Sequence, residues 1–318
     1  MSIKQAILSA LENNRGRYIS GAELASELGV SRTAVWKGIA ALKADGTEIL
    51  SRSGSGYMLP LDADTLTEQG IEKYLVADGV SIKIFKCVDS TNNVAKRLAA
   101  EGCEEGTVVV AHTQSGGKGR LGRKFHSPEG AGIYMSLVLR PEAYKVPMLT
   151  VLAAVAVADG IERAGGKRTQ IKWVNDVFAD SKKCCGILTE AVADLESGGV
   201  EYAVVGIGVN VYEPKGGFAE DIKNIASAAC EGVEDARNKV VAEVINAFFE
   251  RYNRFDKEKI AAEYKAKSML IGRKITVIKP SCERSATAID IDGDCRLIVE
   301  YEGGERETLS AGEVSLRV

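Results

Sequence analysis

Histidine is almost absent from this chain: His112 and His126 are the only two. That excludes an HExxH helix and a histidine-rich zinc cluster, and no metal ligands are expected from the protein. The seven cysteines are odd in number and never fall in CxxC spacing, which argues against a disulfide framework and for reduced thiols. No strong charge of one sign is present, since 41 basic residues face 44 acidic ones for a net −3. A nucleic-acid contact must therefore come from a local patch. The longest apolar run, residues 146–158, is too short to cross a bilayer and ends at Asp159. The first twenty residues show a helical period and no signal-peptide core. A soluble, cytoplasmic protein without a membrane partner is expected. At roughly 100–200 residues per domain, 318 residues suggest two or three domains with ample core.

The first sixty residues carry helical periodicity three times. Ile3, Ala6, Ile7, Ala10 and Leu11 share a face that ends near Asn13-Asn14. Ser20 and Glu23 read as a capping box opening a short helix, with Gly29 as its left-handed stop. Ser31 caps a third helix that ends at Gly46, its Val35, Ile39 and Leu42 facing inward. Two short helices around a tight turn form a helix-turn-helix candidate, and residues 48–59 add two strands with a glycine-serine tip, a wing. Seven basic and five acidic residues leave this region near +2, with Arg32, Lys37, Lys43 and Arg52 on the third helix and the wing. The expected DNA contacts are Ser31, Arg32, Thr33, Trp36, Lys37 and Arg52. Pro60 marks the boundary, giving a winged helix over residues 1–60.

Beyond a linker helix over 65–76, strands and helices alternate. Strands are expected at 82–88, 107–111, 133–140, 170–173, 186–193 and 201–209, and helices at 92–100, 147–164, 240–252 and 257–266. Helix 147–164 is apolar all round and must be buried. Between the second and third strands, residues 117–122 match GxGxxG by letter. The following Phe-His-Ser-Pro cannot open the helix that a dinucleotide fold needs there, and no GxxxxGK[ST] occurs, so the ordinary phosphate loops are excluded. What remains is a loop of four glycines and four cations, Lys118, Arg120, Arg123 and Lys124, suited to closing over an anionic ligand. DSTN at 89–92 leaves a strand and caps a helix. KWVND at 172–176 ends in a sharp turn, and a hairpin from Asp176 to Lys183 would bring an acid and a cation together at one end of the sheet. GIGVN at 206–210 permits close backbone approach.

This ordered set, DSTN (89–92), QSGGKGRLGR (114–123), KWVND (172–176), KCCGIL (183–188) and GIGVN (206–210), resembles the biotin–protein ligase family in its bifunctional form, in which the ligase is also a biotin-operon repressor. The resemblance covers essentially the whole chain. It implies an α+β architecture: the winged helix-turn-helix, a mixed α/β ligase core over residues 61–268 of class II synthetase type, and an SH3-like β-barrel over 269–318. Short alternating strands with tight turns in the last fifty residues agree with the barrel. The resemblance implies ATP, Mg²⁺ and biotin as cofactor and substrates, a biotin carboxyl carrier protein as acceptor, operator DNA as partner of residues 1–60, and a homodimer once the adenylate is bound. Carried over by residue, Ser90, Thr91, Asn92, Gln114, Lys118 and Gly119 would bind biotin, with Ser90, Thr91 and Gln114 on its ureido ring. Lys183 and Arg120 would act on the carboxylate and adenylate, Asp176 would serve as base or as turn cap, and Lys172, Asn175, Asn210 and Arg123 would line the nucleotide. The chain departs from the family at Lys118 (usually arginine), Val174 (usually proline), Phe125 (usually tryptophan) and Cys184-Cys185 (usually small or apolar). A lipoate–protein ligase and a transcription factor that only senses its ligand are the competing readings. The retained Lys183 and Arg120 speak against the second.

Overall fold

The computed structural model describes residues 2–44, 46–61, 63–194, 199–279, 282–310 and 312–316. Helices α1 (Ile3–Glu12), α2 (Gly21–Glu27) and α3 (Arg32–Ala44) precede the short strands β1 (Leu50–Arg52) and β2 (Gly56–Met58). The reciprocal capping box belongs to Ser2 and Gln5 at α1, not to Ser20 and Glu23. Ser20 caps α2 through Glu23 N, but the Glu23 carboxylate turns to Arg17 instead. Gly29 and Gly46 take the expected positive φ. Ile7, Leu11, Leu24, Val35, Ile39 and Leu42 close a core that belongs to this region alone.

The linker helix α4 (Glu68–Glu72) is shorter than expected. Asn238 holds Thr67 N and Thr65 O in extended chain, so the helix starts only after the Thr67 cap. The core then runs β3 (Ser81–Phe85), α5 (Thr91–Ala100), β4 (Thr107–Ala111), β5 (Gly132–Leu139), α6 (Leu149–Arg163), β6 (Gln170–Lys172), β7 (Asp176–Ala179), β8 (Lys182–Ala193), β9 (Val200–Asn210), α7 (Ala236–Asn253) and α8 (Lys257–Ala266). The seven strands form one sheet in the order β3-β4-β5-β9-β8-β7-β6, antiparallel except for the β3–β4 pair that α5 connects. Alternation sorts the two faces. Val108, Leu137, Leu139, Val205 and Ile207 pack under α6, α7 and α8, while Val109, Val138 and Val204 pack under α5. A 3₁₀ turn at Ala143–Met148 runs into α6, so the apolar helical stretch is longer than the sequence run suggested and has the length to cross a membrane. Leu149 and every residue from Val151 to Ala158 are buried, which makes it the central helix of the core.

Strands β10 (Lys274–Lys279), β11 (Cys282–Ile291), β12 (Leu297–Tyr301), β13 (Arg306–Leu309) and β14 (Glu313–Leu316) form an antiparallel sheet in the order β13-β12-β11-β10-β14. Its apolar face, with Ile275, Val277, Leu297 and Val299, is continuous with the core under α6–α8.

Candidate active site

The site lies on the α5 face of the large sheet, where the chain leaves β3 and β4. Its floor is built from small residues: Ser136 on β5, Gly206 and Gly208 on β9, and Gly186 on β8, which pairs in register with Gly208. A Cβ at Gly208 would stand 2.5 Å from the Phe125 ring, and one at Gly206 would stand 2.0 Å from Asn92 Oδ1. Glycine is required because other groups already occupy that space.

Lys183 reaches this floor through a β-bulge. Val177 pairs with Cys185 and Phe178 with Lys183, so Cys184 is the extra residue. Positions 183 and 186 would face opposite sides of a regular strand, and the bulge puts both on one side. Lys183 Nζ thus comes 3.1 Å from where a Gly186 Cβ would be, and lies 2.7 Å from Asp176 Oδ1. The hairpin juxtaposition expected from the sequence is present. The approach is an ion pair without the alignment of a hydrogen bond, and that buried oxygen has no hydrogen-bond donor among the described residues. Burial lifts the Cys184 thiol to about 12 and raises Cys185 well above its usual value. Neither is a nucleophile at neutral pH.

The glycine-rich loop folds back on itself. Gly119 N donates to Arg123 O, Phe125 N donates to Gly117 O, and Lys118 bridges to Lys124. Leu121 takes φ 56° at the tip and is exposed. A 3₁₀ turn at Arg120–Gly122, with extended chain after it, agrees with the exclusion of a dinucleotide fingerprint. The loop is anchored at two cations. Lys118 Nζ donates to Asn93 Oδ1 at 2.6 Å, and Arg120 donates to Asn175 Oδ1 at 2.7 Å and to Gly312 O at 3.1 Å. Asn93 in turn donates to Asp89, which together with the Ser90 backbone holds that carboxyl below its ordinary range.

Several amides predicted to touch ligand are engaged with the protein itself. Gln114 Oε1 accepts from Thr91 N (2.8 Å) and Thr91 Oγ1 (3.2 Å), and its amide donates to Ser127. Asn92 donates to Glu190 and Leu188 O and accepts from Ser136, so it braces α5 against the sheet. Asn175 donates to Ile187 O while accepting from Arg120. Ser90 differs: it sits at the N-cap of α5 without a side-chain cap bond, and it is buried. Lys172 pairs across the strands with Asp176, its ammonium 5.8 Å from the Phe178 ring centre. Asn210 ends β9 opposite Gly132. Gly119 and Arg123 lie in the loop's own backbone bonds. On the winged helix, Ser31 caps α3 through Ala34 N, and Arg32, Thr33, Trp36, Lys37 and Arg52 are all exposed.

Sequence reasoning missed Ser136 and Ser127 and the reach of Gly312 into the site, and it gave Phe125 no place beyond a departure from the family pattern. Ser136 was the readable one, a lone polar residue in an eight-residue apolar strand.

Residues 84–210 match the biotin/lipoate A/B protein ligase family, residues 4–58 an HTH domain, and residues 270–317 the biotin protein ligase C terminal domain. The bifunctional ligase/repressors BirA of Bacillus spizizenii and Bacillus subtilis are each 34% identical over 98% of both chains. The biotin protein ligase from Aquifex aeolicus, solved in complex with biotin and ATP, is similar with a TM-score of 0.63 at 26% identity, over 74% of this chain and 98% of that one. With its winged helix, ligase core and C-terminal sheet in that order, the chain belongs to the biotin–protein ligase family, among its bifunctional ligase/repressors.

Proposed function

We propose that this protein joins biotin to ATP as biotinyl-5′-AMP, passes the biotinyl group to a lysine of a biotin carboxyl carrier protein, and represses transcription through its winged helix when the adenylate is bound. The observation that carries the catalytic part is Lys183, aimed by the Cys184 bulge at a glycine floor beneath a cationic loop.

A carboxylate does not acylate an amine directly, because its leaving group would be oxide. In the first step a biotin carboxylate oxygen attacks the α-phosphorus of ATP, and pyrophosphate leaves with the broken P–O bond's electrons. Charge gathers on the carboxylate and α-phosphate oxygens, where Lys183 and Arg120 stabilise it. Lys118, Lys172 and Arg123 serve the other phosphates, and Asn175 and Asn210 flank the nucleotide. Their present partners, Asn93 and Asn175 for the two loop cations, are neutral, so an anion displaces them without breaking an ion pair. Ser90, with its hydroxyl unused by the helix, and Thr91 with Gln114 would receive the ureido ring, and Asn92 and Gly119 shape its surroundings.

In the second step the acceptor amine attacks the acyl carbon, AMP leaves, and the amine loses a proton. Asp176, released when substrate anions take over Lys183, orients that amine with its unfilled Oδ1. Among the described residues no three acidic, histidine or cysteine side chains converge. Mg²⁺ would therefore arrive on the ATP phosphates, with Asp176 as a nearby carboxylate, and would neutralise phosphate charge. Repression requires two copies on a two-fold site, so an adenylate-promoted homodimer completes the proposal.

The test is pyrophosphate release from ATP, with biotin and a carrier domain supplied. Lys183→Ala should lower the rate by about 10²–10³ while circular dichroism stays unchanged. Near-normal release from a folded variant would overturn the assignment.

A further inference from the structure

Helix α3 turns one large apolar side chain to solvent: Trp36 is 61% exposed. Its direction is fixed by what lies behind it. Gly38, two residues on and so on the opposite side of the helix, meets α1 so closely that a Cβ would stand 2.4 Å from Ile7 Cδ1. Ser31 caps the first turn through Ala34 N, and Lys43 in the last turn donates to Ser51 Oγ of the wing at 2.8 Å. The helix is held at both ends and along its back, with Trp36 at the middle of its outer face.

That face is cationic. Arg32, Thr33, Lys37 and Ala40 surround Trp36 and are exposed, Arg52 stands on the wing, and no acidic residue occurs between Glu27 and Asp45. The cations suit phosphates on either side of a groove, which leaves the indole facing base edges. An indole has one N–H donor, no acceptor and a wide apolar surface. In the major groove the apolar group is the thymine 5-methyl; cytosine has only hydrogen at that position, and its neighbouring amino group, which stands where thymine has O4, would meet a ring that cannot accept a hydrogen bond. A donor bond to purine N7 would not tell adenine from guanine. We infer that Trp36 reads thymine in each half of the operator, its ring packed on the 5-methyl group. This rests on the DNA-binding reading of residues 1–60 and adds the base that α3 selects.

The full chain, supplied with biotin and ATP, is used to select duplexes from a random-sequence library. Each thymine of the selected duplex is then replaced by deoxyuridine, which removes the methyl group alone. One position per half-site should weaken binding about fourfold, and both together about fifteenfold, as expected for a buried carbon. Trp36→Phe keeps the apolar face and should keep the discrimination. Trp36→Ser should bind the thymine and uracil duplexes equally, with ligation unchanged in both variants. If the wild type ignores every uracil, the inference fails. It fails also if 7-deazapurines weaken binding where uracil does not, since the N–H would then be the reader. If no duplex is enriched, the DNA-binding reading falls and takes the inference with it.

Discussion

On one side, the large sheet shares its core with the C-terminal sheet. Trp173, Tyr264 and Met269 are buried in the same cluster as Ile275, Leu297 and Val299, the buried hydrogen bond from Trp173 Nε1 to Cys295 O is neutral, and the ion pairs across this junction, Lys257 with Asp294 and Lys265 with Asp290, are exposed to solvent. On the other side, the winged helix keeps a separate core and meets the linker and the start of α7 through buried charges. Arg15 donates to Glu12 within its own helical region, to Ala63 O in the linker and to Asp235 at the start of α7, and Arg237 donates to Asp64. A cleft of about 520 Å³, lined in part by Lys4, Leu42, Glu68, Lys86 and His112, opens between the same two bodies. Shared apolar burial is not directional and welds two parts into one cooperative unit. Buried ion pairs contribute little net stability but tolerate few geometries, so they fix an orientation and can be lost as a set. A catalytic accessory is joined in the first way and a DNA reader in the second.

The largest expected effect comes from ending the chain after Lys267. Trp173 and Tyr264 lose their cover, and both the cooperative melt and adenylate formation should vanish. Removing residues 1–60 should leave a folded, active ligase. A soluble, ligating 1–267 fragment would erase the contrast.

Next, Arg15→Met leaves Glu12 and Asp235 buried without their cation, at a cost of about 3–5 kcal/mol. The loss should appear as faster hydrogen exchange over residues 59–67, with ligation intact. The single substitution should disturb this junction more than deleting the whole winged helix, because deletion returns Asp235 to water.

Acid sharpens the comparison further. Burial pushes the Asp235 carboxyl above its ordinary value, despite Asn238 and Arg15. Its folded pKa is raised, so its contribution is full below the unfolded pKa and is lost as pH rises through the folded one. Glu162 goes the other way: burial alone would raise it, but Thr169 and Lys267 hold it down, so its contribution is lost as pH falls. Acidification from neutral pH toward about 4 should protect amides near Asp235, whereas those near Glu162 should loosen only as the pH falls below about 4.3. Asp235→Asn should abolish only the first trend.

The smallest effect is Trp173→Phe, which leaves the Cys295 carbonyl buried and unpaired for about 1–3 kcal/mol. The ligase core and C-terminal sheet should still melt in one transition, at a lower temperature. Two separate transitions would show that they are not welded.

The contrast between the junctions was not legible in the sequence, for a physical reason. Arg15 and Asp235 lie 220 residues apart, and nothing local marks either as the other's partner. The same holds for Arg120 and Gly312. What could be read was local or periodic: the third helix with its cap, the buried helix, the hairpin that joins Asp176 to Lys183. Even there the bulge escaped, because one added residue in Lys-Cys-Cys-Gly leaves no trace in composition yet decides which face Lys183 occupies. Nor could the bracing bonds of Asn92 to Glu190 and of Asn175 to Ile187 O be read, since their partners lie 98 and 12 residues away.

Helix α6 carries a consequence for how the chain is made. It packs on α7, which begins some seventy residues further along. At about 5–20 residues per second of translation, its apolar surface emerges several seconds before its cover exists. During that interval the nascent chain presents a segment with the length and apolarity of a membrane span. A chaperone that shelters short apolar stretches at the ribosome should therefore raise the yield of this protein, and its depletion should divert the chain to aggregates or to the membrane surface.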